Sequence, residues 1–508
     1  MAKIQLHTGR IQDATDTKVW SKLQQTIFDA VSSTNNNILI QARAGSGKTT
    51  TLVECARRLP VGKRVLFMAF NKSIVEELGN KLPLYIDCRT LHALAFEYCK
   101  RGMDKFCAVS NWKISNILQA HIDMENAEEK GLYYSYRKTF AQIVGIFKAN
   151  NMHTPISTHT FKQYWEGYED EQPSTFTINL YRVCEEEFFT PRVNGKRYEI
   201  DFDDMLYLAV NCGYVKPAYD VIFIDEAQDI SAIQREFIKQ LLVPGGRVIV
   251  AGDEYQAIYG FRGASYKSLD FFKAAYHCDE LPLSISYRCP ATVIKEANRF
   301  VTDIQHAHGV GTVGVLPASD VGTAKPGDMV LSRYNKPLIA ACISLLKQGI
   351  PAYVLGSDIQ EHLLKHAKKV KQLCRGKLGE KELELYFEVH SPSMSNDWKR
   401  MFLRDVTDTL ILITRNKYCI LNGLEAALET MFQTKDGAVI CSTVHKAKGM
   451  EADNVFFLEP EGVPCKFATG GDELQQEYNL IYVAITRAKK ALYYVTNEKG
   501  WSWRNENN

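Results

Sequence analysis

Two short strings hold the residues whose types and spacing can do phosphate chemistry. The first, ARAGSGKTT at 42–50, follows the apolar run NILI and precedes a helical pattern of Leu52, Val53, Ala56 and Leu59. A strand, a loop of small residues and a helix are what a phosphate-binding loop requires. Ala44, Gly45, Ser46, Gly47, Lys48, Thr49 and Thr50 form the candidate cradle, in which backbone N–H groups approach an anion at a helix N-terminus. Lys48 is placed to meet the β- and γ-phosphates of ATP, and Thr49 to ligate Mg²⁺. The second string, VIFIDEAQD, puts Asp225 and Glu226 directly after a buried-strand pattern. Paired acids after a strand also serve as a helix N-cap. Beside a phosphate loop, Asp225 can hold Mg²⁺ through water and Glu226 can polarise an attacking water. Phosphoryl transfer depends mainly on such positioning and charge neutralisation.

Elements that could position these groups recur along the chain. Apolar strand patterns at 37–40, 65–70, 220–224 and 247–251 form one set; those at 328–331, 352–355, 438–441, 454–458 and 491–495 form a second. Short continuous apolar strands followed by helices predict parallel sheets buried on both faces. Helix-rich stretches interrupt both sets. The expected division is an α/β lobe of 1–99 with 200–283, a helical insertion at 100–199, a second lobe of 284–358 with 436–508, and a reduced helical insertion at 359–435. The run KHAKKVKQLCRGK at 365–377 is strongly basic, as either a phosphate-contacting or a solvated helix face.

Composition sets bounds on function. Of 508 residues, 45% are hydrophobic and 24% charged, as in globular chains with real cores. A net charge of +2 does not announce a nucleic-acid partner, so any such surface must be local. Thirteen scattered cysteines without a CxxC pair predict reduced thiols in a cytosolic compartment and no zinc site. No leader-like segment and no run of ~18 apolar residues is evident, so neither export nor a membrane is expected.

Further strings, in order from about Gln24 to Leu492, resemble the UvrD/Rep/PcrA family of superfamily 1A DNA helicases. The resemblance implies two RecA-like lobes of the P-loop NTPase class with ATP between them. It places Gln24 of KLQQTIF on the adenine. AFNKS, with Phe70 and Asn71, and TLHAL, with Thr90 and His92, look like motifs that grip single-stranded DNA. DFDDML at 201–206 resembles the segment before the DEAQ strand. GDEYQAIYGFRGA resembles the motif coupling ATP to DNA, with Gln256 sensing the γ-phosphate and Tyr259, Phe261 and Arg262 on the DNA. SYRCP would supply Tyr287 to stack on adenine and Arg288 to reach the γ-phosphate. STVHKAKGMEADNV would supply His445 to the DNA and Glu451 to the ribose, and EYNLIYVAITRAKK a second arginine, Arg487. Asn479 stands where many relatives carry arginine. The spacing of AFNKSIVEEL resembles phage enzymes and F-box DNA helicase cores.

Taken alone, Arg288 and Arg487 read as surface ion pairs, and Phe70, Tyr259 and Phe261 as core. Within the resemblance they imply a motor whose second-lobe arginines complete the ATP site only on closure. The expected activity is ATP-dependent 3′→5′ translocation on single-stranded DNA with duplex unwinding, by a monomer or weak oligomer. It would be cytoplasmic in a bacterium or phage, and nuclear in a eukaryote. Stripping of proteins from single strands is one alternative. A nuclease-linked or defence ATPase is another; few residues precede Gln24 or follow Arg487, so it is expected to need a partner protein.

Overall fold

The computed structural model describes residues 19–501 other than 70–71, 105, 170–171, 259–267, 308, 395–396, 467, 469 and 499–500. Its apolar runs form two six-stranded sheets. The first is built from β1 (Ile38–Ala42), β2 (Val65–Ala69), β3 (Ile86–Thr90), β4 (Tyr219–Ile224), β5 (Leu242–Gly252) and β6 (Asp279–Leu283), in the order β3-β2-β4-β5-β1-β6. The second contains β7 (Thr312–Leu316), β8 (Met329–Ser332), β9 (Ala352–Val354), β10 (Val439–Thr443), β11 (Ala452–Leu458) and β12 (Ala488–Val495), ordered β7-β12-β11-β8-β10-β9. Every ladder within the two sheets is parallel.

Continuous apolar strands are needed because both faces are covered. In β2, Leu66 and Met68 enter one core, while Val65, Phe67 and Ala69 enter the core on the opposite face. Val330 of β8 is separated in the same way from Met329 and Leu331. Strands β3, β6 and β7 lie at sheet edges and had no counterpart in the apolar pattern. Their sequences, IDCRT, DELPL and TVGVL, keep much of their surface accessible, so they lack the signature of a buried strand.

The first insertion shares its core with one face of the first sheet. Phe140, Phe147, Phe161, Trp165, Tyr181 and Phe188 pack together within that core. It is not wholly helical: Phe106–Val109, Arg192–Asn194 and Arg197–Ile200 form a small three-stranded sheet. Beneath it Lys113 Nζ meets Asp204 Oδ2 at 2.6 Å, and Lys148 Nζ lies 2.7 Å from Asp201 and 2.8 Å from Asp204. The DFDDML string thus starts a helix with an Asp201–Asp204 capping box whose acids also neutralise two buried lysines.

The second insertion consists of helices Ser357–Leu373, Glu380–His390, Asp397–Thr414 and Lys417–Phe432. The basic run is mainly a solvated helix face, with Lys365, Lys368 and Lys371 exposed. The insertions meet where Lys138 pairs with Glu361 at 2.9 Å and Lys399 Nζ donates to the Glu169 carbonyl at 2.7 Å. No helix among the described residues is long and apolar enough to cross a membrane.

Buried His366 makes a pH prediction. Its Nδ1 lies 3.1 Å from Tyr386 Oη. Burial, then the charges of His362, Lys369 and Lys365, holds its pKa well below the usual value. The folded chain keeps the ring neutral, whereas the unfolded chain gains a proton near pH ~6.5. Its contribution to stability is unchanged above that pH and is lost as pH falls through it, by up to ~1.4 kcal/mol per pH unit. Thermal unfolding at about pH 7.5 and about pH 5.5 checks this, and His366→Gln should shrink the acid-induced loss.

Candidate active site at the lobe boundary

The phosphate loop leaves the C-terminal end of β1, between β5 and the edge strand β6, on the side where open parallel sheets place their ligand crevice. Gly45 and Gly47 have φ of 70° and 81°, left-handed values that favour glycine. At Gly45 a side chain would also collide with the second lobe: an added Cβ would lie 2.5 Å from Arg288 Cβ and 2.7 Å from Ser286 Oγ. Helix Lys48–Arg57 starts immediately afterwards. Ser46 Oγ is buried without a hydrogen-bond partner among the described residues, so a polar acceptor or donor at this loop would meet an unsatisfied hydroxyl.

Lys48 Nζ donates to Glu226 Oε2 at 3.1 Å, and Thr49 Oγ1 donates to Asp225 Oδ2. Burial opposes the Lys48 charge, yet Glu226, Asp253 and Asp225 outweigh it and raise the pKa. Burial likewise opposes ionisation of Glu226, but Lys48 and Lys448 hold its pKa below the ordinary carboxylate value. Asp225 moves upward through burial and the Glu226 charge. A divalent cation beside Thr49 and Asp225 would reverse that burden, because it favours the carboxylate. Glu226 has φ of 51°, an uncommon conformation for a side chain of this type.

Gln24 is buried. A capping box with Ser21 fixes its side chain, and its Nε2 donates to Thr51 Oγ1 at 3.1 Å. Its neighbour Gln25 instead reaches Asp29 on the exposed face. Thr50 is also exposed, so Thr51, not Thr50, presents its hydroxyl to Gln24.

From the second lobe, Tyr287 N donates to the Gly45 carbonyl at 2.8 Å, leaving its ring exposed. Arg288 Nε lies 2.6 Å from Glu451 Oε2, so these residues, read separately as phosphate and ribose contacts, are paired with each other. Arg487 is buried. It donates to the carbonyls of Val483 at 2.9 Å and Met450 at 3.1 Å, and to Thr486 Oγ1 at 3.2 Å. It makes no ion pair among the described residues. Burial, then the adjacent Arg288 charge, lowers its pKa to about 10.

Gln228, Lys448 and Tyr482 of this boundary were not singled out from sequence, whereas Gln256 and Asn479 were. Gln228 Nε2 reaches Glu226 at 2.5 Å, and its Oε1 accepts from Asp253 N at 3.1 Å. Gln256 Nε2 donates to Asp253 Oδ2 at 2.7 Å. Lys448 crosses from the second lobe to Asp229, at 2.6 Å, and to the Gln256 carbonyl, also at 2.6 Å. Tyr482 Oη accepts from Ala44 N at 2.9 Å, while Asn479 Nδ2 donates to the carbonyls of Ala257 at 2.9 Å and Glu254 at 3.2 Å. All of these residues lie within the quoted strings, but no local signal marked Gln228, Lys448 or Tyr482 for these contacts.

Arg43 also crosses the boundary. Its buried guanidinium grips half-exposed Asp303 through two bonds, of 2.7 and 2.9 Å, and lies 3.8 Å from buried Asp253. Arg43→Ala should cost about 3 kcal/mol, since it removes a buried cation and leaves the Asp253 carboxylate with Lys48 and Gln256 to offset its charge. Asp303→Ala should cost about 1 kcal/mol or less, because solvent screens that partner. Thermal unfolding of both variants measures the asymmetry, and equal losses would argue against it.

Among residues read as nucleic-acid contacts, Thr90 caps helix Leu91–Gly102 by accepting from Ala93 N. His92 stacks on Phe202 at 4.0 Å between centroids, and burial lowers its pKa to about 4. Phe202 is exposed, so a neutral stacked pair faces solvent. His445 lines a cleft of ≈ 120 Å³ with Arg333, Tyr334, Asn335 and Asp405. Phe70, Asn71, Tyr259, Phe261 and Arg262 lie outside the described residues.

Comparison with known proteins places this chain in a family. Residues 23–277 match the UvrD/REP helicase N-terminal domain, and residues 393–499 the UvrD-like helicase C-terminal domain. F-box DNA helicase protein 1 of Schizosaccharomyces pombe is 27% identical, over 94% of this chain and 58% of that protein. F-box DNA helicase 1 of Gallus gallus is 25% identical, over 92% and 48%, respectively. The ATP-dependent DNA helicase PcrA of Staphylococcus aureus is 23% identical, over 54% and 39%. The chain thus spans about half the length of the curated relatives it matches. With the N-terminal domain alone accounting for half of the sequence, the chain belongs to the UvrD/REP helicase family.

Proposed function

We propose that this chain is an ATP-driven motor that moves along single-stranded DNA, 3′→5′, and separates duplex ahead of it. The observation that carries this reading is the division of phosphate chemistry between lobes. Lys48, Thr49, Asp225 and Glu226 stand on one side, and Arg288 with the acid-free Arg487 on the other. ATP with Mg²⁺, when bound, supplies the transferable phosphoryl group and the divalent charge that polarises it. Lys48 would then exchange Glu226 for phosphate oxygens, and Thr49, with Asp225 through water, would hold Mg²⁺. Ionised Glu226 orients the attacking water and accepts its proton. Gln256, beside Asp253, senses the γ-phosphate. Gln24 reads the adenine edge, exposed Tyr287 covers its face, and Glu451 reaches the sugar once Arg288 turns to phosphate.

Because both arginines belong to the second lobe, hydrolysis waits for closure of the boundary and product loosens it. Lys448 would transmit that movement, since it joins Asp229 to the Gln256 backbone. Thr90, the His92–Phe202 pair and the His445 cleft, together with Phe70, Asn71, Tyr259, Phe261 and Arg262, would form the DNA track. Stacking on aromatics is sequence-tolerant, which suits a motor that regrips every base. The polarity follows the family resemblance.

ATP hydrolysis with and without single-stranded DNA tests this function, using wild type, Lys48→Ala and Arg487→Ala. Strong stimulation, lost in both variants, is the expected result; displacement from substrates with a 3′ or a 5′ tail then reads polarity. Equal hydrolysis with and without DNA would favour a partner-dependent signalling ATPase instead.

A further inference from the structure

The first insertion carries an aromatic surface that neither the ATP site nor the cleft residues use. Trp112 is 59% and Tyr134 57% exposed, whereas other large rings of this insertion, among them Trp165 and Phe140, fill its core. The Arg137 guanidinium lies 5.6 Å from the ring centroids of Trp112, Tyr133 and Tyr134. No carboxylate pairs with Arg137 among the described residues, so its charge is free to meet an anion.

The platform is rigid. Trp112 directly precedes helix Lys113–Ala120, whose first residue is completely buried and tied to Asp204 and the Phe188 carbonyl. Tyr134 sits within the long helix Ala127–Ala149, edge-on to buried Tyr133 at 5.1 Å. Its position is also defined against the rest of the molecule. Lys138, one helical turn beyond Tyr134, pairs with Glu361 of the second insertion, so the patch lies beside the junction of the two insertions.

Two exposed rings with an arginine among them match a chain that alternates flat aromatic bases with phosphates. Bases stack on such rings without regard to sequence, and arginine adds both stacking and charge. We propose that Trp112, Tyr134 and Arg137 form an accessory site for single-stranded nucleic acid, outside the inter-lobe cleft and beside the junction of the insertions. The proposal rests on the single-strand motor reading, and adds a contact that holds a strand reaching beyond the cleft.

The test uses the full chain and two fluorescent oligothymidylates, of about 10 and about 30 nucleotides, the shorter sized to fill the cleft alone. The Trp112→Ala/Tyr134→Ala double variant is expected to bind the longer strand about tenfold more weakly and the shorter one as wild type does. Arg137→Ala should reduce the salt dependence for the longer strand by a slope of about 0.7. Trp112→Phe should retain most of the affinity. Melting temperatures and hydrolysis at saturating DNA should stay unchanged. Wild type that binds both strands, with variants indistinguishable from it, overturns the accessory site alone and leaves the patch to a protein partner. Equal weakening for both lengths, or a lowered melting temperature, also overturns it. Wild type that binds neither strand overturns the motor reading along with it.

Discussion

Replacing Arg487 with alanine is expected to lower DNA-stimulated ATP hydrolysis by ~10³-fold or more, the scale of arginine contributions to phosphoryl transfer in related NTPases. The physical case rests on an unusual electrostatic position. The guanidinium is buried, and only carbonyl and hydroxyl oxygens of its own lobe accept from it. A buried cation without a carboxylate is costly, and the neighbouring Arg288 adds repulsion. A pKa of about 10 nevertheless keeps it charged at neutral pH. An incoming phosphate would relieve the repulsion at the moment it gained the charge. Truncation also leaves the Met450 carbonyl without this partner, at about 1–3 kcal/mol, whereas Val483 still accepts from Thr486 Oγ1. Arg487→Lys and a melting curve therefore accompany the alanine variant. Fluorescent-nucleotide affinity should change far less than turnover. Near-normal turnover in a folded Arg487→Ala chain would remove this arginine from the mechanism.

Glu226→Gln is expected to reduce hydrolysis by ~10²–10⁴-fold, the usual range for loss of a general base, while nucleotide and DNA binding persist. Lys48 and Lys448 keep Glu226 ionised, which is the form able to accept a proton from water. Its left-handed backbone costs of order 1–3 kcal/mol, and such strain persists when surrounding contacts hold the residue in place. Those contacts are the Lys48 and Gln228 bonds, and glutamine is close enough in shape to preserve their geometry. Single-turnover kinetics separates the chemical step from binding. Loss of nucleotide affinity with an unaltered chemical rate would recast Glu226 as a positioning partner of Lys48.

The ARAGSGKTT and VIFIDEAQD strings meet in space through contacts that sequence could anticipate in kind. Thr49 reaches Asp225, and Lys48 reaches Glu226. The central strands were equally legible, because a strand covered on both faces must be apolar at every position, as VLFMA of β2 is. Edge strands escaped for the converse reason. Half of IDCRT or DELPL faces water or a loop, and residues chosen for that surface look like connecting segments. The three strands of the first insertion were hidden in the same way, each only three or four residues long.

What sequence determined by itself, then, was local: a glycine-rich loop between a strand and a helix, acids at a strand end, and two runs of buried strands with helical interruptions. These follow from burial periodicity and backbone permissiveness, which act over a few residues. Tertiary structure alone decided which distant groups neutralise one another. Arg43 finds Asp303 across 260 positions, and Ala44 finds Tyr482 across 438. Arg288, read for phosphate, is held by Glu451, read for sugar. The first two pairings depend on the packing of one lobe against the other, and the third on packing within the second lobe. A side chain carries its charge in the sequence, but its partner is set by which surfaces exclude water together.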